Sequence, residues 1–143
     1  MSHKQWSAVV MIAVQLAVVA WVVYDRNANP EQYGTLRDVA VQLAWAIGYA
    51  IVLNIVTIIV VVILVSIARG EELKDERADE RDRAIAARSL RNAYFVLSVG
   101  GLAALLTIAF AYSPIAALYV LFAAMALAAL TDSVSQLVYY GRG

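Results

Sequence analysis

The sequence predicts an all-α fold: an integral membrane four-helix bundle with a charged cytoplasmic helical segment between spans two and three. Three observations carry that expectation. Hydrophobic residues make up 63% of the 143 and the mean hydropathy is +0.74, whereas an ordinary soluble domain is about half apolar. The excess lies in four stretches, about 6–24, 39–68, 93–112 and 114–140, each meeting the ~20 residues needed to cross a hydrocarbon core about 30 Å thick. Residues 70–92 hold seven acids and six bases, so all but nine of the 22 formal charges lie there. The chain reads as one membrane domain, 1–143.

Taken in order, the start Met1-Ser2-His3-Lys4-Gln5 resembles a signal-peptide n-region. The apolar run after it is long and lacks a small-residue cleavage site before Tyr24-Asp25, so it reads as a retained first span. Asn29-Pro30 marks a turn in the loop that follows. Thr35 with Asp38 three residues on forms a capping box with Asp in place of Glu, which starts the second helix near Leu36. From there to Arg69 the helix would run about 50 Å, longer than the bilayer core, so it must tilt or project. Gly70 separates it from the charged block. Ser113-Pro114 sets a serine cap before a first-turn proline, predicting a tight hairpin between spans three and four. Gly100-Gly101 and the alanines of the last span (Ala116, Ala117, Ala123, Ala124, Ala128) allow close helix contact. Trp6, Trp21, Trp45 and the tyrosines read as interfacial anchors or core filling.

Orientation follows from lysines and arginines near the span ends. Lys4, Arg69, the six bases of the block and Arg142 fall on one side, and only Arg26 and Arg37 on the other. Both termini are therefore expected in the cytoplasm.

On a helical wheel at about 100° per residue, the block sorts its charges. Glu71, Glu72, Asp75, Glu76, Asp79, Glu80 and Asp82 occupy one half; Lys74, Arg77, Arg81, Arg88 and Arg91 occupy the other, with Arg83 alone among the acids. Asp79–Arg83 is the clear favourable i,i+4 pair, while Glu71–Asp75, Asp75–Asp79 and Arg77–Arg81 repel. Three readings stay open: a solvated linker that enforces topology, a two-faced helix that pairs with a second copy or lies on anionic lipid, or a divalent-cation site on the acidic pairs.

Asp132 is the one acid well inside an apolar span, and Ser135, Gln136 and Tyr139 continue a polar stripe from it. A carboxyl at that depth is costly unless protonated or paired. Arg88 or Arg91, snorkelling from span three, are its expected partners, with Asn92 and Ser98 behind them. Asn54 and Thr57 of the second span could join such a network; Gln15 and Gln42 read as ordinary interhelical polar residues. The readings here are a structural tie between the last two helices, a proton or cation relay, or an oligomer contact.

With no cysteine, thiolate catalysis, thiolate metal sites and disulfides are excluded. No nucleophile–base pair, phosphate-binding glycine loop or metal cluster appears, and His3 sits alone near the terminus, so neither an enzyme nor a cofactor is expected. The formal net charge of zero gives no pull toward nucleic acid.

Asp79-Glu80-Arg81-Asp82-Arg83-x-Ile85, then Arg88-Ser89-x-Arg91-Asn92-Ala93-Tyr94, together with Gln136-Leu137-Val138-Tyr139-Tyr140-Gly141-Arg142-Gly143, resembles small prokaryotic four-span membrane proteins grouped as a domain of unknown function. The likeness covers about residues 75–143. It implies a prokaryotic inner membrane and, because relatives are encoded beside helix-turn-helix regulators, a sensory or regulatory role. Gly141 departs from the basic residue such tails carry. The expected function is that of a non-enzymatic interaction or regulatory protein, homo-oligomeric, meeting a cytoplasmic partner through the charged helix. The alternative is a small ion channel or proton-coupled transporter centred on Asp132, which a break in the second helix around Gly48 beside a wet cavity would favour.

Overall fold

A computed structural model describes residues 3–69 and 80–141. Among them are α1 (His3–Ala28), a short 3-10 helix (Pro30–Tyr33), α2 (Leu36–Arg69), α3 (Glu80–Ala109) and α4 (Pro114–Gly141). All four α-helices are long and apolar enough to cross a membrane. The elements follow the sequence closely where local chemistry sets them. The Thr35 hydroxyl accepts the Asp38 amide at 3.2 Å and donates to the Asp38 carboxylate, so α2 starts where the capping box puts it. The Ser113 hydroxyl accepts the Ile115 amide at 3.2 Å, and α4 begins at Pro114.

Two boundaries shift. The first helix continues past Tyr24 to Ala28, placing Asp25 and Arg26 in its last turn. The third ends at Ala109 rather than 112. It closes with a Schellman motif: the Tyr112 amide donates to the Thr107 carbonyl at 3.1 Å and the Ala111 amide to Ile108 at 2.9 Å. Ala111 takes the left-handed conformation that this motif requires, at φ 59.

The four helices do not close into a symmetric bundle. Helix α4 is the hub: α3 packs on it most extensively, α1 packs on it less so, and α2 touches it least. Among the described residues, α3 contacts neither α1 nor α2. The α4 sequence explains this, because it buries two opposite faces at helical spacing. Ala117, Ala124 and Ala128 share one face, and Phe122, Ala126 and Ser133 the other. On the first face the approach is close enough that a Cβ on Gly100 of α3 would stand 2.1 Å from the Ala124 Cβ. Gly101, its neighbour, faces open space. On the second face Phe122 joins Val18 and Val22 of α1 with Val39, Leu43 and Ala46 of α2 in the main apolar cluster. That cluster occupies the end of the molecule where the α1–α2 loop lies. Toward the opposite end α2 stands apart, with Ile51, Ile55, Ile59, Ile63 and Ile67 exposed.

Candidate functional site

Polar side chains gather at both ends of this frame. At the end opposite the loop, α3 and α4 meet through Asn92. Its side-chain amide donates to the Ser135 hydroxyl at 3.2 Å and to the Tyr139 hydroxyl at 3.1 Å. The polar stripe on α4 thus faces α3, as its i, i+3, i+7 spacing implies.

Asp132 has a different partner from the one expected. Its carboxylate accepts the Gln136 amide at 3.1 Å, one turn along the same helix, and makes no ion pair with Arg88 or Arg91. The helix azimuth explains the difference. Ile85, Ser89 and Ala93 are the buried residues of the first turns of α3 and mark its α4-facing side. Arg88 and Arg91 project elsewhere and are exposed. Ser98 and Thr57 also turn inward on their own helices, donating to the carbonyls of Tyr94 at 2.8 Å and Leu53 at 2.6 Å. Asn54 donates to Ala50 at 2.8 Å and does not reach Asp132, and its side-chain oxygen is buried without a partner among the described residues. Ser89 is wholly buried, its hydroxyl likewise unpartnered among those residues.

Of the charged block, Lys74, Arg77, Glu72, Asp75, Glu76 and Asp79 lie outside the described residues. So do all but Glu80 of the acids on which a cation site would rest. From Glu80 onward the chain is helical, continuous with the apolar part of α3. Arg81, Arg83, Arg88 and Arg91 are exposed along it. Asp82 and Arg81 lie beside Tyr140 near the end of α4.

At the loop end lies the most connected polar group among the described residues. Asp25, in the last turn of α1, accepts from three side chains: Tyr33 of the 3-10 helix, Gln42 of α2 at 2.9 Å, and Asn29 at 3.0 Å. The Gln42 oxygen accepts the Tyr119 hydroxyl of α4 at 3.3 Å, and that hydroxyl accepts from Arg26 at 2.9 Å. The Arg26 guanidinium also stands 4.9 Å from the Tyr119 ring centre. One hydrogen-bonded chain therefore ties α1, α2, the 3-10 helix and α4. Donation to the Asp25 carboxylate, followed by desolvation, pushes the Tyr33 phenol up to about 12, because ionising it would set two anions side by side. Gln42 is buried, so its two bonds replace water that it has lost. The only sequence hint was a charged pair, Asp25-Arg26, ending an apolar run; its partners lie far along the chain and carry no local pattern.

Beside this network a cleft of about 490 Å³ opens between α1 and α2, with Asp25, Arg37 and Asp38 toward its polar end and Trp21, Trp45 and Tyr49 along its wall. A second, mainly apolar groove of about 490 Å³ runs between α1 and α4 below Arg26. Asp132 lines neither. In comparisons with family models, curated proteins and solved structures, nothing matches this chain.

Proposed function

We propose that this chain is a multi-pass protein of a prokaryotic cytoplasmic membrane, with both termini inside, acting without catalysis as an interaction or regulatory protein through the charged segment that includes the start of α3. A homo-oligomer is part of this reading: the basic arc of one copy meets the acidic arc of another. The observation that carries it is the continuity of α3. The helix runs unbroken from the charged Glu80 to the apolar Ala109, with Ile85, Ser89 and Ala93 buried and Arg81, Arg88 and Arg91 exposed. A surface built this way is held at a fixed angle to the bilayer, and whatever docks on it is mechanically coupled to the α3–α4 seam.

The transport reading has less behind it. Helix α2 continues through Gly48 without a break, and Asp132 has a hydrogen-bond donor within its own helix.

The test is charge reversal. Arg77, Arg81 and Arg88 are changed together to Glu in protein reconstituted in lipid nanodiscs, and oligomer mass is read by native mass spectrometry. Exposed ion pairs contribute about 0.5 kcal/mol each, so losing three weakens self-association about tenfold while insertion is retained. An unchanged mass distribution contradicts the proposal.

A further inference from the structure

The cleft between α1 and α2 is graded from polar to apolar along its length. One face of α2 presents Asp38, Gln42, Trp45 and Tyr49 at successive turns. Tyr49 meets two indoles, edge-on to Trp21 at 5.9 Å and stacked with Trp45 at 5.7 Å. Trp45 is 61% exposed and Tyr49 49%, so these rings form a wall rather than a core. At the other end the Arg37 guanidinium is exposed and makes no ion pair among the described residues. The two carboxylates differ in what they still have to offer. Asp25 already accepts three donors, whereas the Asp38 carboxylate accepts only the Thr35 hydroxyl among the described residues and is otherwise open to solvent. Two carboxylates against one guanidinium make the lining net negative, which disfavours a purely anionic ligand.

We propose that this cleft binds a zwitterionic phospho-ammonium head group, with the phosphate at Arg37, the ammonium at Asp38 and the apolar remainder of the molecule along Trp21, Trp45 and Tyr49. Guanidinium–phosphate and ammonium–carboxylate contacts are both charge-assisted, and the ring wall offers a rigid apolar surface. The ligand is a membrane phospholipid or a free phospho-amine; both carry this chemistry. With the spanning arrangement proposed above, the cleft lies in a head-group layer, and the phospholipid source rests on that arrangement; the proposed orientation makes it the outer layer.

The test uses the full chain purified in detergent and titrated, by native mass spectrometry, with dihexanoyl phosphatidylethanolamine, dihexanoyl phosphatidylglycerol or free phosphoethanolamine. The zwitterionic lipid saturates at one per chain and binds more tightly than the anionic one. Arg37→Gln and Trp45→Leu, both at exposed side chains, each weaken it about tenfold, the loss of one charge-assisted contact or one ring surface. Phosphoethanolamine binding as tightly as the lipid assigns a soluble ligand; its failure to bind assigns the phospholipid. Equal retention of the anionic lipid, or undiminished binding by both variants, overturns the proposal. Binding in detergent is independent of which way the chain faces. Labelling of Arg37→Cys by an impermeant maleimide, in a chain with no other cysteine, tests that orientation on its own.

Discussion

Adding one methyl group at Gly100 should separate α3 from α4. An alanine Cβ there would stand 2.1 Å from the Ala124 Cβ and 3.1 Å from its Cα, where ordinary contact begins at 3.4 Å. Neither atom belongs to a flexible side chain that could swing aside, so the helices must move apart by about 1.3 Å. A gap of about 0.5–1 Å already forfeits a quarter to a half of the dispersion attraction across a contact. Overfilling of this kind costs about 1–3 kcal/mol, and with no rotamer to yield the upper end applies. The shift also loads the Asn92 bonds to Ser135 and Tyr139, now 3.2 and 3.1 Å, eight residues or about 12 Å along α3. The assay is reversible unfolding in mixed micelles of the wild type, Gly100→Ala, Ala124→Gly and the double variant. Gly100→Ala should lose about 3 kcal/mol, and the double variant should recover most of it as a coupling term. A Gly100→Ala variant as stable as wild type refutes the close crossing.

Other consequences follow from single residues. Ala111 sits at φ 59, so Ala111→Gly should stabilise the chain by about 1 kcal/mol in the same unfolding assay; destabilisation contradicts the Schellman geometry. Tyr33 is raised to about 12, so its bond to Asp25 contributes fully below the ordinary tyrosine value near pH 10 and fades as pH climbs toward 12. Ultraviolet titration of phenolate absorbance should therefore show a late-titrating phenol that is lost in Tyr33→Phe, and a titration curve left unchanged by that substitution argues against the network. Asp132→Asn keeps an oxygen for Gln136 and should leave folding and proteoliposome proton flux as in wild type. A flux that the substitution abolishes would restore the transport reading.

The features legible in the sequence are those with local causes. The four apolar stretches are legible as continuous runs, and the Thr35–Asp38 box and the Ser113-Pro114 hairpin are each written in a few consecutive residues, so α2 and α4 begin where those residues put them. The small residues of α3 and α4 pointed to a close crossing, and Gly100 against Ala124 is its location. What hydropathy cannot convey is azimuth. Depth alone pairs Asp132 with Arg88 or Arg91, yet Ile85, Ser89 and Ala93 show that α3 turns a different side to α4; Asp132 pairs with Gln136 of its own helix, and the α3–α4 bonds run from Asn92 to Ser135 and Tyr139. Partners distant in sequence are equally hidden. Asp25 gathers Gln42, 17 residues on, and through it Tyr119, a further 77; nothing at Asp25 itself announces either. The open arrangement of the helices was also not readable, because the two-faced burial of α4 emerges only when α1 and α3 are both in place.

The most direct test of the central claim is complementary charge exchange in lipid nanodiscs. One chain carries Arg77→Glu, Arg81→Glu and Arg88→Glu; a second, tagged for mass, carries Glu72→Lys, Asp75→Lys and Asp79→Lys. Each alone should associate poorly with itself, while the mixture should form mixed-mass oligomers at least as readily as wild type associates. Mixed oligomers no more abundant than either variant's own would contradict an interaction through the charged helix.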